Sequence, residues 1–214
     1  MKKIILLGDS IRLGYEAYVR EALRDVAEFY SPTENCRFAQ YFFRYAHEWK
    51  QLGNWPSDAD IVHWNAGLWD SLRLFGDEPL TPTDIYAHFI GRIDRRLRML
   101  FPKAKMIFAT STSVNEAGFG HNLERRNADI AERNAAAIAA LADTDTVIDD
   151  LYTLTLSLPL SAHSDATHFN NAEGCRYLGS FVTCALCREL RIDPATLPKV
   201  DAKAQSIAAD ILGY

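Results

Sequence analysis

The sequence predicts an α/β fold with a five-stranded parallel sheet that is covered by helices on both faces. Two observations predict it. Short apolar segments typical of buried strands alternate with segments of helical periodicity along the whole chain. The connections between most of them are short, as in parallel sheets with crossover helices. No linker, low-complexity segment or change in composition divides the 214 residues, so residues 1–214 are expected to form a single domain.

The five predicted strands end in polar residues at one edge of the sheet. An unbroken apolar run suits a strand that is covered on both faces. The simplest right-handed winding gives the strand order 2-1-3-4-5, with the ligand crevice between strands one and three. Ser10 and Asn65 follow those two strands and should converge there. The predicted strands are Ile4–Leu7, Glu28–Tyr30, Asp60–Asn65, Lys105–Thr110 and Thr146–Ile148.

Helices are predicted wherever apolar residues recur at helical spacing. Thr81 is the expected N-cap of one of them, because a proline and an acidic residue follow it. Another helix places Asn127 and Asn134 on an otherwise apolar face. These amides either hold loop backbone or, at Asn127, contact a substrate. The long loops over residues 66–80 and 111–120 are candidates for function, and residues 149–164 are predicted as loop. The helices are expected near residues 15–26, 42–49, 81–101, 122–142, 171–190 and 202–212.

Composition excludes several classes of protein. The net charge of −5, without any run of Lys or Arg, argues against a nucleic-acid partner. No apolar run has the length of a membrane span, and Ile4–Leu7 is too short for a secretory signal, so a cytoplasmic location is predicted. Cys184 and Cys187 lie in an apolar periodic segment without a second pair of ligands, so they are predicted to be packing thiols rather than metal ligands. Neither a cofactor nor an oligomeric state is indicated.

Two short motifs carry the candidate chemistry. Ser10 stands at the end of the first strand, where it could cap the next helix or act as a nucleophile. Asp165 and His168 follow the fifth strand and therefore lie at the same edge of the sheet. Their spacing lets the carboxylate contact one ring nitrogen and leaves the other free for Ser10, as serine hydrolysis requires. Metal binding by the pair is disfavoured, because no further ligands stand nearby.

Together, Gly8-Asp9-Ser10 and Asp165-Ala166-Thr167-His168 resemble the SGNH (GDSL-type) hydrolase family over nearly the whole chain. The resemblance implies a three-layer αβα sandwich of the flavodoxin-like type. It also implies hydrolysis of carboxylic esters without a metal, through an acyl-enzyme intermediate. Ser10 would be the nucleophile, His168 the general base and Asp165 its orienting partner. The alternative is a non-catalytic relative that binds a ligand but has an impaired oxyanion hole.

The sequence departs from the family pattern at both expected oxyanion-hole donors besides the backbone N–H of Ser10. The family's glycine after the second strand is absent, so the backbone N–H of Cys36 or Arg37 would have to replace it. In the segment Asn65-Ala66-Gly67-Leu68-Trp69-Asp70, a tryptophan stands where the family has its asparagine. Either Trp69 donates through its indole or Asn65 reaches in, and we favour Asn65. The departure bears on activity, because one such donor is worth about 10²–10³ in turnover.

The same segment suggests the substrate. A sub-group of SGNH proteins that resembles carbohydrate esterases has a similar His-x-Asn-x-Gly-Leu-x-Asp pattern, which here runs from His63 to Asp70. We therefore expect a small-molecule or carbohydrate ester that bears acetyl or short acyl groups. Asp9, Gly67, Trp69 and Asn127 are the candidate substrate contacts, although Asp9 is expected chiefly to anchor its turn.

Two other α/β classes lack their motifs. A nucleotide-binding protein should have a glycine-rich phosphate loop after the first strand, and neither G-x-G-x-x-G nor G-x-x-x-x-G-K-[ST] occurs. An α/β-hydrolase should have a second glycine two residues after its serine, where this chain has Arg12.

Overall fold

A computed structural model describes residues 1–120, 122–197 and 199–213. Its central sheet has five parallel strands in the order β2-β1-β3-β5-β7, which confirms the predicted order of the sheet strands. Two further strands, β4 and β6, form a separate antiparallel ribbon. The strands are β1 (Lys2–Leu7), β2 (Ala27–Tyr30), β3 (Ile61–Trp64), β4 (Arg73–Leu74), β5 (Lys105–Ala109), β6 (Leu123–Glu124) and β7 (Val147–Asp149).

Helices cover both faces of the sheet, which confirms the predicted three-layer sandwich. The side chains of α1, α5, α6 and α7 pack in one apolar cluster with one face of the sheet. Those of α2, α3 and α4 pack in a second cluster on the other face. The helices are α1 (Ser10–Ala22), α2 (Ala39–Leu52), α3 (Thr83–Leu100), α4 (Asn127–Leu141), α5 (Leu151–Leu156), α6 (Ala172–Leu190) and α7 (Ala202–Leu212).

The register of the sheet sets the position of the site. Leu7, the last residue of β1, pairs with Trp64, the last residue of β3. The chain therefore leaves both strands at the same level. Asp9 and Ser10 follow one strand and Asn65 follows the other, so these residues leave the sheet at the same edge.

Three local predictions were wrong. Residues 122–126 do not belong to α4, because Leu123 and Glu124 pair with β4 instead. Residues 151–156 form the short helix α5, which Asp150 caps, in a segment predicted as loop. Thr81 is not the N-cap of α3; Pro82 holds that position, and no side chain caps the helix. The amide of Thr81 instead donates to the carbonyl of Asp70.

A buried polar pair joins two strands near the carboxyl edge of the sheet. His63 Nε2 lies 2.9 Å from Asp149 Oδ2, and both side chains are inaccessible to solvent. This contact crosses β5 and ties β3 to β7, whose ends lead into the loops around the site.

No helix in residues 1–120, 122–197 or 199–213 has the length and apolar character that crossing a membrane would require.

Candidate active site

Ser10 is the first residue of α1, but it is Asp9 that caps the helix. The carboxylate of Asp9 accepts a hydrogen bond from the Ile11 amide at 2.9 Å. Gly8 allows the tight approach of the turn to α1, since a Cβ there would lie 2.9 Å from the Cβ of Arg12. Because Asp9 does the capping, the Ser10 hydroxyl is left for another partner.

That partner is His168. Its Nε2 lies 2.8 Å from Ser10 Oγ, although 158 positions separate the two residues. Its Nδ1 lies 2.8 Å from Asp165 Oδ2 and 3.0 Å from Oδ1. An ionised carboxylate only accepts hydrogen bonds, so Nδ1 carries the proton and Nε2 can accept the proton of Ser10.

The loop before α6 holds Asp165 in place. Its Oδ1 accepts the backbone amides of Thr167 at 2.7 Å and His168 at 2.8 Å. The loop closes where the Ser164 amide donates to the His168 carbonyl at 2.7 Å. Burial raises the pKa of Asp165, but these two amides and the imidazole outweigh it, so the pKa lies below its usual value. The carboxylate is thus ionised and aligned with the imidazole ring, even though about half of its surface is exposed.

Asp9 is a second carboxyl group at the site, and it is fully buried. Burial raises its pKa, while the Ile11 amide and then the charge of Arg125 favour the ionised form. Its Oδ2 has no hydrogen-bond partner within the described ranges. Asp9 therefore shapes the turn and does not lie open to a substrate.

Both backbone N–H groups that were predicted as oxyanion donors after β2 already have acceptors within the protein. The Cys36 amide donates to the Gly8 carbonyl at 3.1 Å, and the Arg37 amide donates to Asn35 Oδ1 at 2.7 Å. Arg37 has a φ of 54°, in the left-handed region where glycine is favoured. The prediction that Cys36 or Arg37 contributes to an oxyanion hole has no support from this geometry.

Asn65 and Trp69, the two candidate side-chain donors, differ in burial and in their hydrogen bonds. Asn65 is 7% exposed, its Nδ2 donates to the Ala109 carbonyl at 3.3 Å, and its Oδ1 lacks a partner in the described part of the chain. Trp69 is half-buried and lines the cleft that contains Ser10 and His168. Trp69 therefore lies at the cleft, whereas Asn65, the donor that the sequence favoured, is nearly buried.

Gly67 and Asn127, two candidate substrate contacts, have structural partners. Gly67 has a φ of 149°, and a Cβ there would overlap Ser111 Oγ. Asn127 accepts from the Val114 amide at 3.0 Å and donates to the Val114 carbonyl at 2.9 Å. Gly67 therefore packs against the loop over residues 111–120. Asn127 holds the backbone of the same loop, as in the structural interpretation of its amide given above.

The cleft beside Ser10 has a volume of about 560 Å³. Its apolar lining comes from Trp69, Leu72, Phe119 and Leu123, and its polar lining includes Arg125. The ribbon of β4 and β6 holds the two long loops that supply most of these residues. Sequence analysis missed Arg125, because an arginine in a loop has no pattern that separates it from a surface residue.

Asp70 anchors the loop that carries Trp69. Both of its carboxylate oxygens accept the amide of Ala39, at 3.3 and 3.1 Å, and thereby cap α2, whose own N-cap residue Phe38 makes no side-chain hydrogen bond. Burial raises the pKa of Asp70 to about 7, although the hydroxyl of Thr81 and the charge of Arg133 oppose the rise.

His, Cys, Asp and Glu side chains do not gather in groups of three or more that could hold a metal ion, as far as residues 1–120, 122–197 and 199–213 are concerned.

Several solved structures share this architecture. A lipase/acylhydrolase from Enterococcus faecalis has a TM-score of 0.69 and 18% identity, over 91% of this chain and 98% of its own. The acetyl xylan esterase AlAXEase has a TM-score of 0.68 and 18% identity, over 86% of this chain and 99% of its own. A GDSL-like lipase from Bacteroides thetaiotaomicron has a TM-score of 0.64 and 17% identity, over 87% and 88%. The chain has the fold of the SGNH hydrolases.

The likeness to the SGNH hydrolases was found by comparing structures and not by comparing sequences. No family model matches the chain, and no curated protein does either. At this level of identity the likeness establishes the fold, so the function has to be argued from the side chains at the carboxyl edge of the sheet.

Proposed function

We propose that the protein is a serine esterase that hydrolyses carboxylic esters through an acyl-enzyme intermediate. The observation that carries the proposal is the unbroken series of hydrogen bonds from Ser10 to His168 to Asp165, each 2.8 Å long. Nucleophile, base and orienting carboxylate lie in the order that acyl transfer requires. The comparison with lipases and acetyl xylan esterases of the same fold supports this chemistry.

In the first half of the reaction, Ser10 Oγ attacks the ester carbonyl while His168 Nε2 takes its proton. Asp165 holds the imidazole in the required tautomer and stabilises the imidazolium. His168 then gives the proton to the departing alcohol, and the acyl group stays on Ser10. In the second half, a water molecule attacks the acyl-enzyme, and His168 serves again as base and then as acid.

The oxyanion that forms in each half faces the start of α1. The backbone N–H of Ser10 belongs to the first turn of that helix, where amides have no acceptor inside the helix, and the helix dipole favours negative charge. We propose Trp69 as the second donor, through its indole N–H, because it lines the same cleft as Ser10. Asn65 is the alternative that the sequence favoured.

The proposed substrate is an ester with a small acyl group, such as an acetyl group on a carbohydrate. The apolar surfaces of Trp69, Leu72 and Phe119 suit a short acyl chain or the face of a sugar ring. The acetyl xylan esterase among the similar structures supports the same class of substrate. Purified protein should therefore be assayed with acetylated sugars, short-chain aryl esters and acyl-CoA thioesters.

The nucleophile is tested with Ser10→Ala, and with Ser57→Ala at an exposed serine as the matched control. Wild type and Ser57→Ala should hydrolyse p-nitrophenyl acetate and react with a fluorophosphonate probe, whereas Ser10→Ala should do neither. Hydrolysis at the wild-type rate by Ser10→Ala would refute the role of Ser10. A wild-type protein that binds acetylated sugars without labelling or turnover would instead be the non-catalytic relative.

A further inference from the structure

Arg125 is a buried cation in the wall of the proposed active site. It follows β6 directly, is 8% exposed, and lines the cleft beside Ser10 and His168. Arg126, the next residue, is exposed and pairs only with Glu124 among the residues described. A buried guanidinium loses hydration, so its position must be stabilised by several partners.

Two hydrogen bonds of Arg125 join loops on different sides of the cleft. Its Nε donates to the Leu68 carbonyl at 2.6 Å, and its Nη1 donates to Thr167 Oγ1 at 3.1 Å. Leu68 immediately precedes Trp69, and Thr167 immediately precedes His168. One rigid guanidinium thus fixes the distance between the loop of the proposed oxyanion donor and the loop of the proposed base.

The third contribution of Arg125 is electrostatic. Burial raises the pKa of Asp9, the buried carboxyl next to Ser10, and the charge of Arg125 opposes that rise. The Oδ2 of Asp9 has no hydrogen-bond partner in the ranges that the structure describes. An uncompensated carboxylate at that place would repel the negative charge that develops during attack by Ser10. Burial lowers the pKa of Arg125, while the charges of Asp9 and Asp165 act in the opposite direction.

We propose that Arg125 is a positioning residue of the proposed esterase. It holds the Trp69 and His168 loops at a fixed separation and offsets the charge of Asp9 next to the nucleophile. The proposal rests on the proposed function, because it assumes that Ser10 attacks and that His168 accepts its proton.

The first test compares Arg125→Met, Arg125→Lys and the matched control Arg126→Met. Arg125→Met should lower kcat for p-nitrophenyl acetate by about 10- to 100-fold, which is the worth of hydrogen bonds to a charged group, and should change KM much less. Arg125→Lys keeps the charge but lacks the planar guanidinium that donates to two loops, so its kcat should lie between those of Arg125→Met and wild type. Arg126→Met should have the kcat of wild type. In a fourth variant, Arg125→Ala, which leaves space for the missing group, millimolar guanidinium chloride should restore part of kcat. A wild-type kcat in a folded Arg125→Met would overturn the proposal.

The second test separates the electrostatic part from simple support of the fold. Asp9→Asn keeps the cap of α1 but removes the charge. If Arg125 offsets that charge, the fold-loss of kcat caused by Arg125→Met should be about 5-fold smaller in the Asp9→Asn background than in the wild-type background. A difference of this size is typical of interacting groups. Equal losses in both backgrounds would overturn the electrostatic part.

A further pair of variants decides the case if Arg125→Met does not fold. Thr167→Val removes the acceptor of Nη1 but keeps the shape of the side chain, whereas Thr167→Ser keeps the hydroxyl. Only Thr167→Val should lower kcat, and equal activity of the two would overturn the proposal. Failure of the proposed function is recognised separately, because wild type would then neither hydrolyse esters nor label at Ser10.

Discussion

Asp70 allows a quantitative prediction of how stability depends on pH. Its buried carboxylate caps α2 from a distant loop, and burial raises its pKa from 3.8 to about 7. The folded protein therefore binds the proton of Asp70 more tightly than the unfolded chain does. The stabilisation that goes with this proton is complete below the unfolded pKa and is lost as the pH rises through the folded pKa.

The size of the effect follows from the pKa. One pKa unit corresponds to about 1.4 kcal/mol. Between about pH 5 and pH 8 the carboxyl group of Asp70 stays ionised in the unfolded chain, whereas in the folded protein it loses its proton near pH 7. The range from about pH 5 to this pKa covers about two pH units, over which the two states differ by one bound proton. The free energy of unfolding should therefore fall by about 2–3 kcal/mol more in wild type than in Asp70→Asn, which cannot ionise. Groups that titrate alike in both proteins cancel in this comparison.

The measurement is urea unfolding of wild type, Asp70→Asn and Asp70→Ala at both pH values, followed by circular dichroism. Asp70→Asn can still accept the Ala39 amide through its side-chain oxygen, whereas Asp70→Ala leaves that buried amide unpaired and should be destabilised at both pH values by about 1–3 kcal/mol. Parallel pH dependences of wild type and Asp70→Asn would show that Asp70 is already ionised at the lower pH and that the reasoning from burial fails.

Three further predictions concern the edge of the sheet. Trp69→Phe should lower kcat by about 10²-fold with little change in stability, because it removes one proposed oxyanion donor; a larger loss in Asn65→Ala than in Trp69→Phe would move that role to Asn65. Asp165→Asn should lower turnover by at least about 10²-fold, since the amide keeps the loop's backbone hydrogen bonds but favours the wrong imidazole tautomer; nearly unchanged kinetics would exclude the orienting role. Gly67→Ala should reduce the unfolding free energy by about 2–4 kcal/mol, as its Cβ would overlap Ser111 Oγ; equal thermal stability would contradict the packing argument.

The parts of the fold that sequence could predict are those that repeat with a clear period. The five sheet strands are apolar and lie between helical segments, so their order followed from general rules of winding. The contact between Ser10 and His168 also follows from these rules, since the carboxyl ends of parallel strands meet at one edge.

The parts that sequence could not predict depend on contacts between distant loops. The strands β4 and β6 have two residues each, and each becomes a strand only because the other lies beside it. The Cys36 amide looked available as a donor, but the fold of its loop directs it to the Gly8 carbonyl. Arg125 and Arg126 are indistinguishable in sequence, and only the packed loops separate the buried one from the exposed one.

The ribbon of β4 and β6 has a consequence for any redesign of the cleft wall. Residues 66–80 and the described residues 111–120 and 122–125 flank the cleft from separate parts of the chain, yet the pairing of Arg73 with Glu124 and of Leu74 with Leu123 couples their positions. Lengthening one segment alone would pull its partner out of register. Grafting the two segments as a matched set from a protein of the same fold should therefore preserve the contact between Ser10 and His168 while exchanging the wall of the cleft.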